Sequence, residues 1–298
     1  MVKTVKDGKE RLAGSRPVLL LLLDGWGLAP QSPANAIDLS LCPNLNRLIA
    51  EYPVAALQTT FKNPALSYLS LGSGRPAFSL EAPYDEIETL PKIISAAGLR
   101  QAYIAESEKF ALATYFFKGK NAQLLSGEEQ FIISSVAGDY SEKPELSLKE
   151  LSSLALKKIK SQAYDFILLN LANLDLLASL GDKEAILRIL PLLDKTIDRI
   201  SKAVLDAGGT VLLTSAHGNA ERMIDLKIDL VDKEITDNPV PFLVIGPEFK
   251  GKTIGRQDVL NNDLSLLEPL GSLSDVAPTV IRIMNLAKPE GMGSQSLV

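Results

Sequence analysis

Histidine and cysteine are nearly missing from this sequence: each occurs once in 298 residues, as His217 and Cys42. A single cysteine excludes an internal disulfide framework and is typical of a reducing compartment. An excess of basic residues is also missing, because the formal net charge is -5. That charge argues against nucleic acid or an anionic membrane surface as a partner. We therefore expect a cytoplasmic protein that binds neither.

Long apolar runs of the kind that cross membranes are missing as well. In the stretch "PVLLLLLDGWG" the apolar residues 18–23 end directly on Asp24. A spanning helix needs about 20 apolar residues, and a convincing signal-peptide cleavage site is hard to place after the run. A buried parallel strand explains the stretch better, because helices cover both faces of such a strand.

Hydrophobic residues still make up 46% of the chain, which is enough for a sizeable core. Strand-like and helix-like segments alternate along it. The strands are predicted at 18–23, 54–60, 99–107, 164–173, 210–216 and 240–246. The helices are predicted at 43–52, 86–98, 147–161, 183–209 and 274–286. This alternation predicts an α/β fold of three layers, in which a mostly parallel sheet has helices on both faces.

Smaller features complete this prediction. Residues 1–15 are polar and are expected to form a flexible tail before a single α/β domain at 16–298. The stretch 113–146 is interpreted as hairpin or loop material at the edge of the sheet. Pro191 is expected to kink the long helix, and Ser274 or Asp275 to cap the last one.

Polar residues stand at four of the strand ends. They are Asp24, Asn173 with Asp175, His217, and Asp237 with Asn238. In a parallel sheet these ends meet at one edge, where carboxylates and an imidazole would suit a divalent metal ion. The alternative is structural: an Asp or Asn after a strand often forms a turn or caps a helix, and a single histidine is often only hydrogen-bonded.

The motifs "LLLDGWG", "SLGSGR", "NLANLD", "TSAHGNAERM" and "DNPVPF" stand in one order along residues 16–298. Together they resemble the cofactor-independent phosphoglycerate mutases of the alkaline-phosphatase superfamily. The resemblance implies an alkaline-phosphatase-like core with two manganese or zinc ions at the sheet edge. It also implies a serine that carries the phosphoryl group between two hydroxyls of glycerate. The metals would lower the pKa of that serine and stabilise charge on the phosphoryl group.

By this resemblance, only part of the family's site is retained. The retained metal-ligand positions are Asp24, Asp175 and His217, and Lys109 is retained as a weak substrate-binding candidate. The replaced positions are Ser179, Ile235 and Leu112 for histidines, Ala216 for an aspartate, and Pro64 for the nucleophilic serine. One metal would keep two ligands and the other one, and neither set makes a closed or an open three-ligand site. A cation such as Lys109 or Arg222 is expected to offset the buried aspartates instead.

The family's inserted substrate-binding domain is also missing near 76–86. We therefore expect a pseudoenzyme: a phosphoglycerate-mutase-like core without a catalytic residue, without a required cofactor, and with a binding or scaffolding role. Its ligand or protein partner stays unknown, and self-association stays open. The alternative is a remnant phosphoester hydrolase or phosphotransferase that holds one Mn, Mg or Zn ion.

Two further interpretations carry less weight. Ser67 or Ser70 would need an activating base to replace the lost nucleophile, and no second base is evident. The acidic stretch at 229–237 would suit magnesium or calcium, but a run of charges is more often a solvated loop.

Overall fold

The computed structural model describes residues 14, 16–59, 62–81, 83–136, 140–255 and 262–298. The predicted tail at 1–15 therefore lies outside the described residues, apart from Gly14. The strands are β1 (Val18–Leu23), β2 (Val54–Gln58), β3 (Gln101–Glu106), β4 (Glu128–Ile133), β5 (Phe166–Leu171), β6 (Thr210–Thr214), β7 (Ile224–Asp225), β8 (Leu230–Val231), β9 (Val240–Ile245) and β10 (Pro269–Ser272). The helices are α1 (Pro43–Glu51), α2 (Pro64–Ser73), α3 (Leu90–Ala96), α4 (Ser107–Ala111), α5 (Leu148–Ser161), α6 (Asn173–Leu180), α7 (Lys183–Asp206) and α8 (Val276–Ile283).

Eight of these strands form one sheet in the order β10-β2-β9-β6-β1-β5-β3-β4. Only β9 runs antiparallel to its neighbours β2 and β6 within this sheet. The other pairs are parallel, which confirms the mostly parallel sheet predicted from the sequence. The strands β7 and β8 form a separate small hairpin.

The central strand β1 shows why its sequence is apolar at every position. Leu19, Leu21 and Leu23 face one hydrophobic core, while Leu20 and Leu22 face a second core on the opposite side of the sheet. All of them are fully buried, and each buried leucine contributes about 1.5–3 kcal/mol. A strand buried on both faces therefore reads as a continuous apolar run.

Helices cover both faces of the sheet, as the three-layer fold requires. The first core contains residues of α1, α5, α6 and α7, such as Leu48, Leu151 and Ile189. The second contains residues of α2, α3 and α8, such as Ile94 and Val280. In the described part of the chain, no helix combines the length and hydropathy that a membrane crossing needs.

The prediction of a hairpin or loop at 113–146 was wrong in part. The stretch does reach the sheet edge, but there it forms β4, which pairs in parallel with β3. Before β4, the helix α4 continues as a π-helical segment, Leu112–Phe116. Lys118 after that segment forms a buried ion pair with Glu128 in β4 (2.9 Å), which fixes the edge strand. The signal was hard to read because β4 begins with three polar residues and ends with three apolar ones, without the alternation of a half-buried strand. Residues 137–139 lie outside the described part.

Several predicted ends were also corrected. The segment 86–98 holds a shorter helix, Leu90–Ala96, and α2 and α6 were not predicted. Asn63 caps α2 by accepting a hydrogen bond from the amide of Ala65 (3.0 Å), and Pro64 is its first residue. Of the two predicted caps of the last helix, Asp275 is its N-cap residue, but its side chain serves the preceding 3-10 turn, where Ser272 is the cap and Asp275 the third residue of a capping box. The long helix α7 includes Pro191, and the kink expected there stays a prediction.

Candidate functional site

The ends of β1, β5 and β6 bring Asp24, Asp175 and His217 together at one edge of the sheet. All three are buried, with exposed fractions of 0%, 4% and 0%. The amide of Asp175 donates to the carbonyl of Asp24 (3.1 Å), and the amide of Gly25 donates to the carbonyl of His217 (3.1 Å). The predicted convergence of these side chains therefore rests on direct hydrogen bonds between the three chain segments.

Gly25 allows this close approach of the segments. Its φ of 89° lies in the left-handed region, and a Cβ atom there would lie 2.5 Å from the amide nitrogen of Asp175. The carbonyl of Gly25 also accepts from the amides of Asn219 (3.1 Å) and Ala220 (2.9 Å). The glycine of the "LLLDGWG" motif is therefore required by packing, whatever the chemistry of the site.

Protein donors occupy the carboxylate of Asp24. Its Oδ2 accepts from the hydroxyl of Tyr68 (2.7 Å) and from Nδ2 of Asn170 (2.9 Å), and its Oδ1 accepts from the amide of Ala216 (3.3 Å). Burial, followed by the charge of Asp24, raises the pKa of Tyr68 well above its usual value, so the phenol stays a neutral donor. Asp24 is thus held by neutral groups on helix α2, strand β5 and the β6 end.

A lysine occupies the carboxylate of Asp175. The ammonium of Lys109 forms a buried ion pair with Oδ2, and Nδ2 of Asn219 donates to Oδ1 (3.0 Å). Burial alone would raise the pKa of Asp175, but the charges of His217 and Lys109 and these hydrogen bonds lower it to about 2. Burial lowers the pKa of Lys109, and the charges of Asp175 and Asp24 outweigh it, so the net shift is upward.

The cation expected beside the aspartates is therefore Lys109. The other candidate, Arg222, bonds instead through its Nε to Asp232 (3.0 Å), in the acidic stretch at 229–237. Asp229, Glu234 and Asp237 of that stretch are exposed, as in a solvated loop.

His217 makes few contacts for a fully buried imidazole. Its Nδ1 lies 3.2 Å from the carbonyl oxygen of Gly218 and 3.9 Å from Oδ1 of Asp175. Its Nε2 is buried without a hydrogen-bond partner among the described residues, and so is Oδ1 of Asn219. Buried polar atoms without partners are uncommon and destabilising. This side of the site therefore retains two unused polar atoms.

The replaced positions add no ligand to this site. Ala216 has no donor atom, and Ser179 is exposed and accepts a hydrogen bond from Nδ2 of Asn219 (3.3 Å). No group of three or more His, Cys, Asp or Glu residues that could hold a metal ion occurs in the described ranges. With both aspartates already bound to protein donors, the residues present do not fit the two metal ions that the resemblance implies.

The remaining polar residues at the strand ends have other roles. Nδ2 of Asn173 donates to the carbonyls of Pro144 (2.9 Å) and Glu145 (3.0 Å), away from the aspartates. Asp237 and Asn238 precede β9 rather than follow a strand, and they reach this edge because β9 is antiparallel. Asp237 is exposed and does not join the site.

Glu221 is a central residue that the sequence interpretation missed. Its carboxylate is 1% exposed and accepts from the amides of Gly27 (3.1 Å) and Asn219 (2.8 Å). It also accepts from the hydroxyl of Thr236 and from Nδ2 of Asn238 (2.9 Å). It therefore joins the segments that follow β1 and β6 to the one that precedes β9. The "HGNAE" sequence carried the signal, as a glutamate directly after the turn.

Ser67 and Ser70, the serines considered as substitute nucleophiles, have structural surroundings. The hydroxyl of Ser70 donates to the carbonyl of Leu66 (2.9 Å) and accepts from the amide of Ala77 (2.9 Å). Ser67 is fully buried, and its hydroxyl has no partner among the described residues. Neither serine contacts a histidine, lysine or carboxylate in the described hydrogen bonds.

The fold and the site define the class of the protein. The chain belongs to the metalloenzyme superfamily, which it matches over residues 16–288. Its relatives include the 2,3-bisphosphoglycerate-independent phosphoglycerate mutase of Anaplasma phagocytophilum (strain HZ), with 36% identity over 74% of this chain and 42% of that protein. The mutase of the same name from Synechococcus sp. (strain JA-2-3B'a(2-13)) is 36% identical over 79% of this chain and 44% of that protein. The chain thus spans less than half the length of these relatives.

Solved structures show the same fold. A phosphoglycerate mutase of Leishmania mexicana, crystallised at low cobalt concentration, has a TM-score of 0.77 at 13% identity and covers 100% of this chain and 99% of that chain. The TAB5 alkaline phosphatase has a TM-score of 0.58 at 11% identity over 93% of this chain and 100% of that chain. These likenesses confirm the alkaline-phosphatase-like α/β fold.

Proposed function

We propose that the chain is a cytoplasmic, phosphoglycerate-mutase-like pseudoenzyme that serves as a binding or scaffolding module. The proposal is carried by Pro64, which stands where the resemblance to the family places the nucleophilic serine. Proline has no hydroxyl to accept a phosphoryl group, and here it starts α2 behind the Asn63 cap. The nearest serines on α2 are Ser67 and Ser70, which are buried without an activating base.

A cavity beside the site supports the binding role. It has a volume of about 550 Å³, and Glu221 and Asn238 of the site form part of its wall. Arg222, Lys227 and Asp225 line it as well, so a ligand there would meet charges of both signs. Ligand-binding pockets have volumes of this size.

The test is an assay of the full chain for mutase activity on phosphoglycerate and for phosphatase activity on p-nitrophenyl phosphate. Each is run with Mn²⁺, Co²⁺, Zn²⁺ and Mg²⁺, and no turnover above background is expected. Metal-dependent turnover that Asp24→Ala abolishes would overturn the proposal. Asp237→Ala, which changes an exposed carboxylate outside the site, is the matched control.

The unpartnered Nε2 of His217 supports a second candidate function. A remnant hydrolase or phosphotransferase could hold one Mn, Mg or Zn ion on that imidazole together with an aspartate. Elemental analysis of the dialysed protein distinguishes the two functions. Stoichiometric metal supports the enzyme, and metal below about a tenth of an equivalent supports the pseudoenzyme.

A further inference from the structure

We propose that the Lys109 ammonium is a built-in replacement for a divalent cation, and that it keeps metal ions away from Asp175. The positive charge that a bound metal would bring to this edge of the sheet comes instead from inside the chain. The inference concerns metal binding and does not depend on whether the chain has catalytic activity.

The position of Lys109 follows from the fold. It lies on α4, which begins directly after β3 ends at Glu106. Its side chain is 9% exposed, and the side chain of Asp175 is 5% exposed. The ammonium contacts Oδ2 of Asp175, while Asn219 binds Oδ1. Both oxygens are therefore engaged by side chains that come from other segments.

A metal ion on Asp175 would compete with this ammonium for Oδ2 of the carboxylate. A divalent ion on Asp175 would stand beside a positive charge that is nearly buried, where water screens repulsion poorly. Without either cation, the buried carboxylate would lose its closest counter-charge. The chain thus balances the charge of Asp175 with a group that cannot be lost by dialysis or chelation.

The imidazole of His217 is still close to Asp175. Its Nδ1 lies 3.9 Å from Oδ1 of Asp175, and its Nε2 is buried without a partner among the described residues. Oδ1 of Asn219 is buried and has no partner among the described residues. Removal of the ammonium therefore frees Oδ2 of Asp175, whose other oxygen lies close to the His217 imidazole.

The test is metal binding by Lys109→Ala, measured by elemental analysis after dialysis and by titration calorimetry with Mn²⁺ and Zn²⁺. We expect the variant to bind about one equivalent, at least tenfold more tightly than the wild-type chain. Lys109→Arg, which keeps the charge, should resemble the wild type. Asp175→Asn added to Lys109→Ala should abolish the gain.

Arg222→Ala is the matched control, because it frees the carboxylate of Asp232 from a cation outside the site and should gain no metal. A folded Lys109→Ala variant that binds no more metal than wild type would overturn the proposal, as would stoichiometric metal in the wild-type chain. The activity assays judge the proposed function, so a folded Lys109→Ala variant that gains no metal in a chain without turnover overturns this proposal alone.

If Lys109→Ala does not fold, the pair Lys109→Met and Lys109→Met/Asp175→Asn gives the answer by urea unfolding. When the ammonium serves to balance Asp175, the double variant unfolds at a higher urea concentration than the single one. A double variant that is no more stable than the single one would contradict the proposed role.

Discussion

The carboxylate of Glu221 accepts a hydrogen bond from the amide of Gly27 over 3.1 Å, although 194 positions separate them in the chain. The same carboxylate bonds Asn219, Thr236 and Asn238, so it joins three segments at the sheet edge. The site thus keeps its shape through a buried carboxylate that is hydrogen-bonded on both oxygens.

Replacing Glu221 with alanine should destabilise the protein strongly. The change leaves donors on Gly27, Asn219, Thr236 and Asn238 without their acceptor. We expect a loss of about 3 kcal/mol or more in the free energy of unfolding, because each buried donor without a partner costs about 1–3 kcal/mol. Urea unfolding measures the loss, and Glu234→Ala, an exposed carboxylate, is the control. A loss below about 1 kcal/mol would argue against the joining role of Glu221.

Gly27→Ala tests the same contact from the other side. A Cβ atom on Gly27 would lie 2.3 Å from Cδ of Glu221, so the carboxylate would have to move. We expect a loss of about 1–3 kcal/mol, the usual range for overpacking. Gly293→Ala is the control, because a Cβ atom there meets nothing within 4 Å. Equal thermal unfolding midpoints for the two variants would show that the sheet edge accommodates the added methyl group of Gly27→Ala without loss of stability.

The sequence predicted which residues meet at this edge of the sheet better than it predicted the hydrogen bonds among them. β1 was predicted correctly because a strand buried on both faces leaves a continuous apolar run. The pairing of Lys109 with a buried aspartate was anticipated because a buried carboxylate needs a positive charge close to it, wherever the two residues lie in the sequence. The role of Glu221 was missed because it exists only where three distant segments meet. The antiparallel direction of β9 was missed for a similar reason, since strand direction is set by the path of the chain.

The ion pair between Lys118 and Glu128 at the other side of the sheet gives a prediction about stability. Their side chains are 1% and 0% exposed. Lys118→Met alone leaves the carboxylate without its partner and should cost about 3–5 kcal/mol. The double variant Lys118→Met/Glu128→Gln should recover most of that loss, because the introduced glutamine side chain is neutral. Its side-chain oxygen can still accept the hydrogen bond that the backbone amide of Leu125 donates to Glu128 (2.9 Å). Chemical unfolding of the single and double variants measures the coupling. A double variant no more stable than Lys118→Met would show that the buried charge is not the cause.

Cys42 should make stability fall at alkaline pH. Burial, and then the charges of Asp194 and Asp38, raise the pKa of its thiol to about 12. The unfolded thiol ionises near pH 8.5, so above that pH the unfolded state releases a proton that the native state keeps. The contribution of the thiol is complete below about pH 8.5 and is lost as the pH rises toward 12.

The measurement is the stability difference between the wild-type chain and Cys42→Ala at pH 7 and pH 10. It should shrink by about 2 kcal/mol, at roughly 1.4 kcal/mol per pH unit above 8.5. The native thiol should also resist Ellman's reagent at pH 8 and react after unfolding in urea. Rapid reaction of the native protein would show that the thiol is accessible.

Restoring a hydroxyl at the nucleophile position should not restore catalysis. Pro64→Ser returns the serine, and Asn63 can still cap α2 through the amide of Ala65. The stability cost should stay near 1 kcal/mol, because a serine in the first turn mainly gains freedom in the unfolded chain.

Activation of that serine would still need metal ions, while Ala216 offers no ligand and Lys109 holds Asp175. Hydrolysis of p-nitrophenyl phosphate with Mn²⁺ should therefore match that of the wild-type chain. Pro64→Ser combined with Ala216→Asp and Lys109→Ala is the informative comparison, since it removes two further obstacles together. Metal-dependent turnover by Pro64→Ser alone would show that proline had been the only barrier and that the aspartates can still exchange their protein partners for metal.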